Sequence, residues 1–329
     1  MILDFPPFVP HPLIRGGHAQ TIAGAYLMTW GATQRARQHV VTLADGDQVV
    51  LHDDCPAGWQ AGGRVALLIH GLSGSHASPY MQRAVARLTS RGIRVFRLDL
   101  RGCGAGLALA RLPYHSGRSE DAAAAIECIA GLCPGSPLTL IGYSLGGNIT
   151  LKLLGELGER SCGGLDSGIA VCPPIDLAQC AQRIGSRSNC LYDRHFVRML
   201  ERSVTVKRRL RPDVHAMPAG PRPRTLREFD ELYTAPVSGF GTAENYYRLA
   251  SARPRLGDVR RPTLIIAADD DPMIPCELFR DVPPSEHLQI HVTRGGGHLG
   301  FIAKAPVRTD ADRRWLDWRI LDWVLAIPS

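Results

Sequence analysis

The stretch Leu138-Thr-Leu-Ile-Gly-Tyr-Ser144-Leu-Gly-Gly-Asn-Ile-Thr-Leu-Lys-Leu-Leu154 joins two kinds of pattern at one serine. Leu138 to Ile141 is a short apolar, β-prone run. Ile149, Leu151, Leu153 and Leu154 are apolar at helical spacing. Between them stands Gly142-Tyr-Ser144-Leu-Gly146, the G-x-S-x-G pattern of a nucleophile elbow. A serine thrust out of so sharp a strand-to-helix turn has a strained backbone, and side chains two residues to either side would collide, so glycine is required there. The arrangement leaves a hydroxyl at a helix N-terminus, where backbone N–H groups and the helix dipole favour developing negative charge. With 34 glycines and 17 serines in 329 residues, about 0.2 such patterns arise by chance. The strand before it and the helix after it give this one its weight.

Working outward, the flanking chain alternates strands and helices. Ala44-Asp-Gly-Asp47 reads as a hairpin turn between strands at His39–Leu43 and Gln48–His52. Arg64–Ile69 is near-continuously apolar, as expected of a strand buried on both faces, and ends in the polar loop His70-Gly-Leu-Ser-Gly-Ser-His76. Helical spacing over Met81–Ser90, a strand at Ile93–Asp99, a helix over Glu120–Leu132 capped by Ser119, and a strand at Gly168–Cys172 follow. From Ile175 to about Arg253 no strand is evident. Helical pieces fall at Arg194–Leu210, Thr225–Leu232 and Ala243–Ser251. Alternation resumes at Pro262–Ala268 and Leu288–Val292, and a helix at Arg313–Leu325 closes the chain. The pattern predicts an α/β fold with a mostly parallel, doubly wound sheet. Its core is expected at 40–174 and 254–329, with a helical lid inserted at 175–253 and an N-terminal arm at 1–39.

A serine hydroxyl needs a base to take its proton and a third group to orient that base. Both are available in the order Ser…Asp…His. Asp269-Asp-Asp271-Pro-Met-Ile-Pro275 follows one predicted strand and Gly295-Gly-Gly-His298-Leu-Gly follows the next, so both loops fall at the sheet edge that carries Ser144. Asp271 is the preferred acid, with Asp269 and Asp270 as strand-end and turn residues. His298 is the preferred base, because glycines on both sides free its backbone to aim it. The oxyanion donors are expected from the amides of Leu145, directly after the nucleophile, and Leu72, in the loop after Arg64–Ile69. His70, Gly71, His76, Tyr80 and Tyr143 are candidates to meet the substrate. No metal or cofactor is expected. His287 and His291 share a strand face with no third ligand, and no H-E-x-x-H spacing occurs.

Composition bounds the rest. At 45% hydrophobic and 21% charged residues, this is a globular chain with length for a large core. No apolar run reaches the roughly 18 residues that span a bilayer, and Met1-Ile-Leu-Asp-Phe-Pro-Pro lacks the basic and apolar regions of a signal peptide, so a cytoplasmic location without a stable membrane anchor is expected. Nine scattered cysteines without a C-x-x-C read as reduced and structural. The net charge is +7, with only Lys152, Lys207 and Lys304 as lysines. An arginine-rich stretch at 207–227 reads as a solvated face; anionic substrates or transient membrane-surface contact are its alternative. No aromatic interleaving points to nucleic acid.

The chain resembles the α/β-hydrolase superfamily over nearly its whole length, and within it the YheT-like (embryogenesis-associated) hydrolases, with the related animal lipases. The resemblance rests on His70-Gly-Leu-Ser-Gly-Ser with Tyr80, Arg101-Gly-Cys-Gly, Tyr114-His-Ser-Gly, Gly142-Tyr-Ser-Leu-Gly-Gly-Asn148, Phe229-Asp with Pro236 and Gly239-Phe, Tyr246-Tyr247, Asp270-Asp-Pro272 and Gly296-Gly-His298-Leu-Gly-Phe301, together with His18-Ala-Gln20-Thr21. It implies hydrolysis of carboxylic esters of short acyl chains or lipids, with Ser144, Asp271 and His298 as triad. The animal members' N-terminal membrane anchor is not expected to carry over to this chain. Thioester hydrolysis or acyl transfer would use the same three residues, and a catalytically silent ligand-binding member is the rival from another class. Dehalogenase or epoxide hydrolase chemistry would place an aspartate where Ser144 stands.

Overall fold

The computed structural model describes residues 2–27, 36–307 and 310–328. Its centre is one eight-stranded sheet in the order β1-β2-β4-β3-β5-β6-β7-β8. The strands are β1 Arg37–Thr42, β2 Gln48–Asp54, β3 Val65–Ile69, β4 Arg94–Asp99, β5 Leu138–Tyr143, β6 Leu165–Val171, β7 Thr263–Ala268 and β8 Leu288–Thr293. β1–β2 and β2–β4 pair antiparallel, and every other neighbour pairs parallel. The Asp-Gly turn explains the first pair, since only a tight hairpin joins two strands across so few residues.

The central strands lack polar alternation because each face has its own core. Ala66 and Leu68 of β3 and Ile141 and Tyr143 of β5 pack on one side with Met81, Leu88, Trp315 and Trp323. Val65, Leu67 and Ile69, with Leu138 and Leu140, pack on the other with Ile126, Ile129, Ile149 and Leu153. Helices α2 (Pro79–Thr89) and α10 (Trp315–Ala326) therefore cover one face, and α3 (Ser119–Leu132) and α4 (Leu145–Leu157) the other. Both faces are covered, as parallel sheets require. Ser119 does not cap α3 as expected. It is the helix's first residue, and its hydroxyl donates to Glu156 at 2.5 Å.

One region departs from the pattern read in the sequence, and the helical insertion gains pieces that the sequence did not signal. Gly17–Tyr26, without a clear apolar period, forms the first helix, α1. Between β6 and β7 the chain forms α5 (Leu177–Ile184), α6 (Cys190–Leu210), α7 (Leu226–Phe229), a π-helical turn at Asp230–Thr234, α8 (Ala235–Val237) and α9 (Ala243–Ala250). Asp176, Thr225 and Thr242 each accept a hydrogen bond from the third residue onward, which is why α5, α7 and α9 start where they do. No described helix is long and apolar enough to cross a membrane.

Candidate active site

Ser144 sits between the end of β5 and the start of α4 with φ 52° and ψ −118°, a conformation that L residues avoid. The flanking glycines hold it there. A Cβ on Gly142 would lie 2.1 Å from the carbonyl oxygen of Gly146, and one on Gly146 would lie 2.4 Å from that of Ile69. The elbow is thus pressed against the end of β3 with no room for a methyl group.

The loops after β7 and β8 bring an acid and an imidazole to this serine. His298 Nε2 lies 2.9 Å from Ser144 Oγ, and His298 Nδ1 lies 2.8 Å from Asp271 Oδ2. Asp271 Oδ1 accepts the amides of Met273 at 2.8 Å and Ile274 at 3.0 Å. With Nδ1–H donated to Asp271, the Nε2 lone pair faces the serine hydroxyl. Asp269 Oδ1 and Asp270 Oδ1 take the amides of Gly295 and Gly297, tying the two loops together at 2.6 and 2.8 Å. The three residues singled out in the sequence therefore meet, and the two neighbouring aspartates brace the histidine's loop.

The backbone after β3 shows why one amide there is available. The Gly71 amide donates to the Tyr80 hydroxyl at 2.9 Å, the Ser73 amide to the Tyr114 hydroxyl at 2.8 Å, and the Gly74 amide to the Gly71 carbonyl at 3.0 Å. The Leu72 amide, between them, donates to no group among the described residues. Leu72 and Leu145 both line the cavity that holds Ser144 and His298. Tyr114 was not singled out as a site residue; its bond to Ser73 spans 41 positions, and no local pattern signals it.

The other candidates for substrate contact lie outside that cavity. Strand alternation turns Tyr143 into the core beneath α2 and α10, where its ring packs on Tyr80 at 4.7 Å. Tyr80 props the loop through Gly71. Gly71 itself is packed so close to Ser144 that a Cβ there would lie 3.1 Å from the serine's Cβ. His70 is fully buried, donates through Nδ1 to the Gly71 carbonyl and accepts the Leu100 amide at Nε2. Burial holds its pKa below the usual range, so it is a neutral brace. His76 bonds Asp99 through Nδ1 at 2.7 Å.

His52, His76 and Asp99 form one of two groups of metal-ligand type among the described residues. The two imidazoles stack with centroids 3.6 Å apart and planes 17° apart. A cation near Asp99 Oδ2 would lie outside at least one ring plane, off the nitrogen lone pair. The group is satisfied as a hydrogen-bonded cluster, in which His52, His76 and the Ala105 amide all donate to that oxygen. The second group, Cys172 with Asp271 and His298, is occupied by the carboxylate–imidazole bond, and burial pushes the Cys172 thiol well above its ordinary pKa. Neither suits a metal.

Helix α1, which carries the His18-Ala-Gln20-Thr21 segment, has a part in this site that the sequence did not assign to it. The Thr21 hydroxyl accepts the His298 amide at 2.8 Å and donates to the Gly17 carbonyl at 2.7 Å. The Gln20 side chain donates to the carbonyls of Ile14 and Ile302 and accepts the Ile302 amide at 2.8 Å. A Cβ on Gly17 would fall 1.8 Å from the Asp270 carbonyl oxygen, which requires glycine there. Thr21→Val keeps the shape and removes both bonds. It is expected to lower kcat by about 10- to 100-fold with KM little changed, because the imidazole loses aim rather than the cavity its contacts. Steady-state kinetics on a soluble ester checks this.

The comparisons with known proteins agree with this architecture. The Alpha/beta hydrolase family matches residues 66–310. The chain is 33% identical to YheT of Escherichia coli (strain K12) over 288 residues, which is 86% of this chain and 82% of that one. The chain belongs to the alpha/beta hydrolase family. It is also 26% identical to a monoacylglycerol lipase of Saccharomyces cerevisiae, across 76% of this chain and 56% of the lipase. Phospholipase ABHD3 of Homo sapiens is 26% identical across 87% of this chain and 71% of the human protein. Among solved structures, Est1E of Butyrivibrio proteoclasticus superposes with a TM-score of 0.56 at 13% identity, covering 88% of this chain and 97% of Est1E. The Pyrococcus furiosus esterase Pf2001 gives 0.56 at 14%, covering 98% and 97%. At those identities the two structures speak to the fold alone.

Proposed function

We propose that this alpha/beta hydrolase cleaves carboxylic esters through an acyl-enzyme on Ser144. The observation that carries the reading is the unbroken line from Asp271 Oδ2 through His298 to Ser144 Oγ, with both contacts within 2.9 Å. Ser144 Oγ attacks the ester carbonyl while His298 Nε2 takes its proton, and Asp271 stabilises the imidazolium that forms. The Leu72 and Leu145 amides receive the oxyanion. His298 then protonates the leaving alcohol, and water repeats the sequence to free the acid. The helices at 175–253 act as a lid. They supply Leu177, Ala181, Ile184, Phe196 and Leu226 to a cavity of about 90 Å³ at Ser144, well below the roughly 300–1,000 Å³ of pockets that enclose drug-sized ligands. A short acyl or alcohol group fits it as it stands; a lipid chain requires the helices to move. The YheT, lipase and phospholipase relatives support ester chemistry in general.

Transfer of the acyl group to an alcohol in place of water is the second reading. A relative in Saccharomyces cerevisiae, 28% identical across 73% of this chain and 58% of its own length, is named a medium-chain fatty acid ethyl ester synthase/esterase, and the same three residues would serve.

A fluorophosphonate probe tests the nucleophile. One equivalent is expected to attach to the peptide carrying Ser144, with loss of ester turnover in step with labelling. Labelling elsewhere with turnover intact would overturn the assignment.

A further inference from the structure

The cavity at Ser144 contains a carboxyl for which the ester reaction has no use. Asp230, first residue of the π-helical turn, lines it together with Ser116, Tyr246 and Tyr247 and the apolar side chains of Ile184, Phe196 and Met273. Asp230 is 7% exposed. Its Oδ2 accepts the Tyr247 hydroxyl at 2.8 Å. Tyr246 and Tyr247 of α9, and Thr234 on its own turn, are the polar groups that face it. No lysine, arginine or histidine forms an ion pair with it among the described residues. Burial pushes its pKa up to about 6.

A buried carboxyl with two hydroxyl partners, Tyr247 and Thr234, is incomplete, because a carboxylate accepts at about four positions. Water can serve the remainder only while the cavity is open to it. An ester that filled the cavity with hydrocarbon would strip that water and put nothing in its place, whereas a bound donor would restore the bond. The neighbours decide which donor. They are neutral hydroxyls, and an ammonium would bring three donors and a full charge to a site with about two free acceptor positions. A hydroxyl brings one donor and an acceptor that the tyrosines can meet.

We propose that Asp230 is a specificity-determining residue, selecting esters that carry a hydroxyl on the portion lodged in this cavity. The inference rests on the ester-hydrolase reading and narrows its substrate class. It gives the Phe229-Asp230 motif a task separate from the chemistry at Ser144.

Two ester pairs that differ by one methyl-to-hydroxyl exchange test it. Propyl butyrate against 2-hydroxyethyl butyrate places the exchange on the alcohol side. Methyl 3-methylbutyrate against methyl 3-hydroxybutyrate places it on the acyl side. In at least one pair the wild type is expected to favour the hydroxyl ester by about tenfold or more in kcat/KM. That ratio is expected to rise with pH through about 6, because the ionised carboxyl is the stronger acceptor and the costlier to leave bare. The chemistry at His298 and Ser144 is common to both members of a pair and cancels in the ratio. Asp230→Leu is expected to reverse the preference, and Asp230→Asn to abolish the pH dependence of the ratio. Each ratio is taken on one protein sample, so a loss of folded enzyme does not move it. A ratio near one in both pairs, an unchanged ratio in Asp230→Leu, or a persistent pH dependence in Asp230→Asn would each overturn the inference while leaving the hydrolase reading in place. A folded wild type that turned over none of the four esters would end that reading, and the inference with it.

Discussion

Ser144→Ala is expected to reduce ester turnover by about 10⁵-fold or more, as removing the nucleophile of a serine hydrolase does, with the fold unchanged. The size follows from the unit to which the hydroxyl belongs. In the proposed mechanism, loss of Oγ leaves His298 and Asp271 no proton to move, and only the amides of Leu72 and Leu145 to stabilise an attack by water. Ser144→Gly is expected to be equally inactive but more stable than Ser144→Ala by roughly 1–3 kcal/mol. Both variants lack the hydroxyl, so the comparison isolates the backbone. Alanine retains the Cβ that makes φ 52° costly, and glycine does not. Single-turnover kinetics and denaturant midpoints on the two proteins measure these effects. Equal stability would mean that the elbow is not strained, and residual turnover near the wild-type rate would remove Ser144 from the mechanism.

Asp271→Asn is expected to lower kcat by about 10⁴-fold at neutral pH. The cause is a change of tautomer. In the wild type Oδ1 is held by the amides of Met273 and Ile274 while Oδ2 accepts from His298. An asparagine can meet the two amides only with its oxygen, so its NH₂ must point at the imidazole. A donor facing Nδ1 drives the proton to Nε2, and the ring then offers Ser144 an N–H in place of a lone pair. Side-chain volume and the two amide bonds are preserved, so thermal stability is expected to change little compared with the loss of rate. Comparing kcat with melting temperature separates this outcome from unfolding. A variant within tenfold of the wild type would show that the acid does not set the tautomer.

Much of this molecule was legible in the chain because the signals are short-range. The strands at Val65–Ile69, Leu138–Tyr143 and Thr263–Ala268 announce themselves as apolar runs, since a strand covered on both faces has few polar positions to spare. Once they are placed, parallel pairing puts the loops after them on one edge, and Ser144, Asp271 and His298 follow as residues of those loops. Helix α1 escaped because little of its stability comes from an apolar stripe. Gly17, Gln20 and Thr21 are buried by contact with the histidine's loop, which no period in residues 17–26 encodes.

What only the tertiary structure decided is the surroundings of the serine. Tyr80 and Tyr143 look like neighbours of the site in the sequence, yet strand alternation and the packing of α2 send their rings beneath it. Tyr114, Thr21 and Asp230 stand in motifs that the resemblance picks out, but nothing local in those motifs assigns their roles. The bond from His298 to Thr21 spans 277 positions, and the carboxyl of Asp230 meets the cavity only because the segment between β6 and β7 folds back over the sheet edge. Periodicity and glycine placement report the geometry of the nearest few residues, so the sequence by itself determined where the strands run and the three candidate residues in the loops that follow them. Which side chains brace the loops and which face the substrate depends on contacts between distant segments, and those exist only after the chain has closed.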